Sequence, residues 1–98
     1  MLDLCFAVLD PGKEVQAENR RQLDKWGVQN HSCFEWLAYT TEELGELSNA
    51  ISEYYYRKGD RESVVKEAIQ VATLALKIAE MYRHIQFLET EGLCQTKK

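Results

Sequence analysis

The chain has 98 residues and a formal charge of −4, with 45% hydrophobic and 29% charged residues. That length bounds it to one domain with a modest core, and the acidic balance argues against a nucleic-acid-binding surface. One proline and five glycines leave few breaks in a long apolar periodicity. The reading is therefore all-α, an antiparallel helical bundle forming a single domain over 1–98, with its core over about 11–88.

Met1–Leu9 is apolar, but it lacks the basic start of a signal peptide and is too short to span a membrane. The expectation is a cytoplasmic protein with no membrane partner. Cys5, Cys33 and Cys94 are widely spaced with no Cys-x-x-Cys pair, which fits free thiols in a reducing compartment. Asp10-Pro11 predicts the start of a first helix, with Asp as N-cap, running to about Lys25 and ending at Trp26-Gly27. It is mostly polar, and Arg20-Arg21 reads most simply as a solvated face.

After a loop over Val28–Ser32, Ser32-Cys33-Phe34-Glu35 is a capping box that opens a second helix. Phe34, Leu37, Thr41, Leu44, Leu47/Ser48, Ile51 and Tyr55 recur at helical spacing. The helix is expected to run to about Lys58, where Arg57 and Lys58 suit the negative end of its dipole and Gly59 suits the C′ position. Tyr54-Tyr55-Tyr56 reads as packing and interface, with Tyr54 nearest the face of Glu43 and Glu46. Asp60 caps a third helix from Arg61 to about Leu88, followed by a tail over Glu89–Lys98. Its middle, Val64 to Ala79, is apolar around most of its circumference, with Ala68, Ala72, Ala75 and Ala79 as a stripe of small residues. A helix apolar nearly all round must be buried nearly all round, and so short a chain has little else to cover it. A second copy is the simplest cover, so the bundle core is expected to be completed by dimerisation.

Glu43 and Glu46 share a helix face, and Glu42 lies beside them. Glu67 and Gln70 repeat the same spacing on the third helix. With the turn centred near Tyr56 and Arg57, Glu43 is level with Gln70, and Glu46 with Glu67. Such spacings usually mark a solvated face. Here Glu67 and Gln70 sit in the most apolar helix, where a lone carboxylate is costly to bury, and opposite other acids, where repulsion is unfavourable unless a cation relieves it. Spacing alone leaves both readings open: a solvated acidic face, or an oxygen site for a hard divalent ion.

Glu42-Glu43-Leu44-Gly45-Glu46, followed by Glu67-x-x-Gln70, resembles the MazG-like superfamily of all-α nucleoside triphosphate pyrophosphohydrolases. Lys25-Trp26-Gly27-x-Gln29-x-His31 is similar to a segment in bacterial and phage members, and the ordered match covers roughly residues 14–82. The resemblance implies a helical bundle that dimerises or pairs into tetramers. It also implies hydrolysis of a nucleoside triphosphate, an NTP or dNTP, to the monophosphate and pyrophosphate with magnesium, or manganese in its place. Glu43, Glu46 and Glu67 match the metal-binding carboxylates, and Glu42 matches an extra acid that binds a further metal or orients water. Glu42 or Glu46 could accept a proton from that water. Gln70 stands where the superfamily usually has aspartate, supplying one carbonyl oxygen and two N–H donors, so it can complete a magnesium shell or bind a phosphate or base.

For substrate binding, Trp26 could stack on a nucleobase or merely plug the helix end, and His31 could hydrogen-bond a base or phosphate or be structural. Lys25 and Lys77 could reach a phosphate or stay solvated. Two other classes fit the same residues: a nucleotide-binding or regulatory protein without efficient turnover, and a ligand-free helical interaction module.

Overall fold

The computed structural model describes residues 5–90, with side chains described through residue 85, and within them the chain is all-α. Helix α1 spans Pro11–Trp26, α2 spans Cys33–Tyr56 and α3 spans Arg61–Thr90. Each start is fixed by the cap that the sequence predicts. The Lys13 N–H donates to Asp10 Oδ1 at 3.2 Å, ahead of the proline that opens α1. In the capping box, the Glu35 N–H donates to Ser32 Oγ at 3.2 Å and the Ser32 N–H donates to Glu35 Oε1 at 2.9 Å. The Glu62 N–H donates to Asp60 Oδ1 at 3.1 Å, which opens α3.

The end of α2 differs by two residues from the sequence reading. The helix stops at Tyr56, and Lys58, not Gly59, takes the left-handed backbone conformation, at φ 59°. The Gly59 N–H donates to the Glu53 carbonyl at 2.8 Å, wrapping the turn back onto the helix. A Cβ at Gly59 would lie 2.8 Å from the Glu53 carbonyl carbon, so glycine is required there by close approach. At the first break the sequence reading holds, with Gly27 following α1 at φ 70°, whereas α3 runs to Thr90, two residues past its expected end at Leu88. Residues 5–8 form bends, and residues 1–4 lie outside the described residues, as do Cys94 and the tail from residue 91. Cys5 and Cys33 are free thiols.

The short turn makes α2 and α3 an antiparallel pair and the larger of the two helix contacts, while α1 rests on α3. Two contacts fix the register. Gln70 meets Glu43, and one helical stretch further on the Lys77 amine lies 5.6 Å from the centre of the Trp36 ring. Among the described residues Trp36 and Leu74 are the buried apolar ones, and Thr73 is buried too, its hydroxyl donating to the Ile69 carbonyl at 2.8 Å.

Helix α2 carries two seams of alternating three- and four-residue spacing, offset by one residue. Cys33, Trp36, Thr40, Glu43, Leu47, Ala50 and Tyr54 form the covered one, toward α3. The apolar recurrence that is more conspicuous in the sequence, Phe34, Leu37, Leu44, Ile51 and Tyr55, is the open one; Phe34 is 78% and Tyr55 73% exposed. Helix α3 has a matching open seam in Val65, Ala68, Ala72, Ala75, Ala79 and Tyr82. The expectation of a helix apolar nearly all round is met in sequence, but one side of it is uncovered in the single chain.

Because the turn at Gly59 sets the register of the whole hairpin, Gly59→Ala should destabilise the fold by roughly 1–3 kcal/mol, the scale of a steric overlap that must be relieved by backbone shifts. Lys58→Gly, which relieves a left-handed backbone, should be neutral or slightly stabilising. Urea unfolding of the two variants against the parent checks both.

Candidate functional site

The register of α2 against α3 brings Glu43, Glu67 and Gln70 together. In the orientation its neighbours demand, the Gln70 side-chain nitrogen donates to Glu43 Oε2 at 2.8 Å and to Glu67 Oε2 at 2.9 Å. Gln70 thus bridges the two carboxylates, one from each helix. All three residues are half-buried. Burial pushes the Glu43 carboxyl above its ordinary range, and the neighbouring Glu67 carboxyl and the charges of Glu46 and Glu42 add to the push. Glu67 meets Glu43 rather than the level residue Glu46, because Glu43 lies in the seam of α2 that faces α3 whereas Glu46 is exposed outside it. Glu42 and Glu46 are exposed on the outer edge of the group, near enough for their charges to act on Glu43.

This acidic group borders a cleft of about 470 Å³ between the three helices. Glu42, Glu43 and Gln70 line one side of it. Arg21, Lys25 and Trp26 of α1, Lys66 of α3, and Gln29 and His31 of the loop line the others. An aromatic wall completes it. His31 packs edge-to-face on Trp36 at 4.8 Å and on Tyr39 at 5.0 Å, and Trp36 meets Tyr39 at 6.3 Å. At the mouth, Trp26 is half-exposed, with the Lys25 amine 4.5 Å and the Arg21 guanidinium carbon 5.8 Å from its ring centre. Acids, bases and flat rings thus share a volume in the usual range for a small-molecule site.

Of the residues singled out from sequence, Glu42, Glu43, Gln70, Lys25, Trp26 and His31 line this cleft. Glu67 reaches it through Glu43 and Gln70, while Glu46 does not line it and bears on it only through its charge on Glu43. Lys77 does not line it. Its amine donates to Gln22 Oε1 and lies over Trp36, bordering a second, open groove of about 960 Å³ between α1 and α3. Burial holds the Lys77 amine below its ordinary value, against the pull of Glu18 and Glu80. Arg20 and Arg21 part company: Arg20 is solvated, 3.9 Å from Asp24, whereas Arg21 belongs to the cleft. Sequence reading passed over Trp36, Tyr39, Arg21 and Lys66. Trp36 and Tyr39 carried a usable signal, since they precede Glu43 by seven and four residues and so share its face. Arg21 had none in its spacing.

The oxygens of Glu43, Glu67 and the Gln70 amide are hard ligands of the kind that magnesium takes, and a cation among them would relieve the repulsion that raises Glu43. Among the described residues no three His, Cys, Asp or Glu side chains converge as a ready-made cage, so the convergent set is two carboxylates and one amide. No helix among the described residues is long and apolar enough to cross a membrane. No family model, no curated protein and no solved structure matches the chain.

Because the native Glu43 carboxyl is pushed up, the folded chain binds that proton more tightly than the unfolded chain does. The contribution of Glu43 to stability is therefore greatest at low pH and falls as pH rises from the ordinary glutamate value through the raised native one. In a chelating buffer Glu43→Gln should melt higher than the parent at pH 7, by roughly 2–5 °C for a domain of this size. The difference should close as pH is lowered to about 4, where both forms are neutral. Thermal melts across that range check the sign.

Proposed function

We propose that this chain is a magnesium-dependent nucleoside triphosphate pyrophosphohydrolase of MazG-like type. The observation that carries the reading is the meeting of Glu43 and Glu67 across two helices, joined by Gln70, at the wall of a cleft that also holds cations and flat rings. Two carboxylates are kept side by side at a cost to the folded state, which is how ligand sites differ from solvated acidic faces. The ordered Glu-Glu-x-x-Glu and Glu-x-x-Gln elements supply the resemblance that names the reaction.

Water adds across the anhydride between the α and β phosphates. Its oxygen bonds to phosphorus, the bridging P–O bond breaks, and the monophosphate and pyrophosphate separate. When bound, magnesium supplies neutralisation of the phosphate oxygens and acidifies water. Glu43 and Glu67, with the carbonyl of Gln70, would hold it. Glu42 and Glu46, exposed at the edge of the group, are placed to accept the proton released by the attacking water. Lys25 stands at the mouth for the phosphates, and Trp26 and the His31 wall offer faces for the base. The sequence expectation for Lys77 changes: it supports Gln22 and Trp36 from behind the cleft. One observation favours a second reading, nucleotide binding without turnover, since Gln70 spends its amide on both acids where the superfamily usually has an aspartate.

The working form we infer is a dimer. The open seam of α2 presents large side chains and that of α3 presents alanines, so each would supply what the other lacks when two copies pack as a four-helix bundle. The helical repeat puts the α2 seam on the side of that helix away from Tyr39, Glu42 and Glu43, so the cleft stays open in such a pair.

With a panel of NTPs and dNTPs plus magnesium, the protein should release pyrophosphate from at least one, and Glu43→Ala should lower the rate about 100-fold or more. Release from none, with magnesium or nucleotide still raising the melting temperature, would leave the binding-only reading. Sedimentation velocity should give twice the chain mass. Ala72→Glu, which places a charge in the seam, should give the monomer; a monomeric parent would end the dimer proposal.

A further inference from the structure

The two buried residues of helix α1, Glu18 and Gln22, are both polar and bonded to each other. The Glu18 side chain is 8% exposed and accepts three hydrogen bonds: Arg21 Nε at 2.9 Å, an Arg21 terminal nitrogen at 2.7 Å and Gln22 Nε2 at 2.7 Å. Gln22 is held in turn by the Lys77 amine of α3. A chain of four polar groups thus runs from behind the cleft to its wall and ends on a guanidinium. A pair three residues apart on a helix is ordinarily a solvated contact of little consequence. Here the carboxylate half is buried and doubly braced, which is costly unless its partner is held in one place.

The Arg21 side chain remains 43% exposed and lines the cleft together with Glu42, Glu43 and Gln70. Glu18 occupies the side of the guanidinium formed by Nε and one terminal nitrogen. The other edge, between the two terminal nitrogens, is left for a second anion in the planar geometry that suits a phosphate. A triphosphate carries more negative charge than one divalent ion neutralises, and the acids on the α2 wall repel it. A fixed cation facing those acids offsets both.

Resting on the pyrophosphohydrolase reading, we propose that Arg21 binds the phosphates of the substrate that leave as pyrophosphate, and that buried Glu18 is the positioning residue that aims it. The charges of Glu43 and Glu67 act on Arg21, in keeping with its facing them, and its contact with Glu18 leaves the Glu18 carboxyl below its ordinary value although burial alone pushes it up.

The test uses inorganic pyrophosphate with saturating magnesium, titrated into the full chain by calorimetry. Arg21→Gln should weaken binding 10-fold or more and Arg21→Lys less, because lysine keeps the charge without the fork. Glu18→Gln should weaken it 3- to 10-fold. The pair Glu18→Gln with Arg21→Gln should bind no more weakly than Arg21→Gln alone, since Glu18 acts through Arg21; a purely structural Glu18 would add its own loss. A parent that binds no pyrophosphate, or an Arg21→Gln variant that binds as the parent does, overturns the proposal. Nucleotide turnover run alongside separates the two ideas. Parent turnover with Arg21→Gln binding unchanged leaves the hydrolase and removes the arginine. Arginine-dependent binding with no turnover of any nucleotide keeps the phosphate site and removes the hydrolase.

Discussion

The contact between Glu43 and Glu67 depends on the antiparallel register of two helices, and that register depends on a turn of four residues. Arg57 leaves the helix, Lys58 goes left-handed, Gly59 folds back against the Glu53 carbonyl, and Asp60 caps the next helix. Slip the turn by one residue and Glu43 rotates about 100° away from α3, so that the acids no longer meet. The site is therefore fixed by backbone geometry some four turns distant from it, with little help from the acids, whose mutual repulsion opposes the arrangement. Gln70 is the compensation, a neutral residue that gives each carboxylate one donor and so makes the approach tolerable.

Much of this was legible in the residues. The caps were, because Asp10-Pro11, Ser32 with Glu35, and Asp60 each satisfy orphan N–H groups by local chemistry that needs no tertiary context. The level of Glu43 with Gln70 was, because a short turn leaves little freedom in a hairpin. Three things were not. The open and covered seams of α2 differ by one residue, and the open one is the more hydrophobic, so apolarity alone points to the wrong face as the intramolecular one. The end of α2 was misplaced because glycine marks either a left-handed residue or a close approach, and here it marks the second. Arg21 looked solvated because its partner Glu18 is charged too; that Glu18 is buried is decided by Lys77 and Gln22, fifty-five positions apart in the chain.

The three helices divide their labour by chemistry. The α2–α3 pair supplies the acids, whereas α1 supplies cations and is tied to α3 by the Lys77–Gln22 hydrogen bond. The cleft lies where an acidic surface and a basic one are held facing each other, with the His31–Trp36–Tyr39 wall between them. Such an arrangement suits a ligand that carries its own cation, since the metal-facing and phosphate-facing ends then meet opposite fields.

The amide of Gln70 has only one oxygen, and with both N–H bonds committed to Glu43 and Glu67 that oxygen points away from them. For an incoming ion to recruit it, the amide must swing half a turn, giving up two donors at the moment the ion takes over their work of screening. Capture of a cation at this position would therefore be an exchange and not an addition.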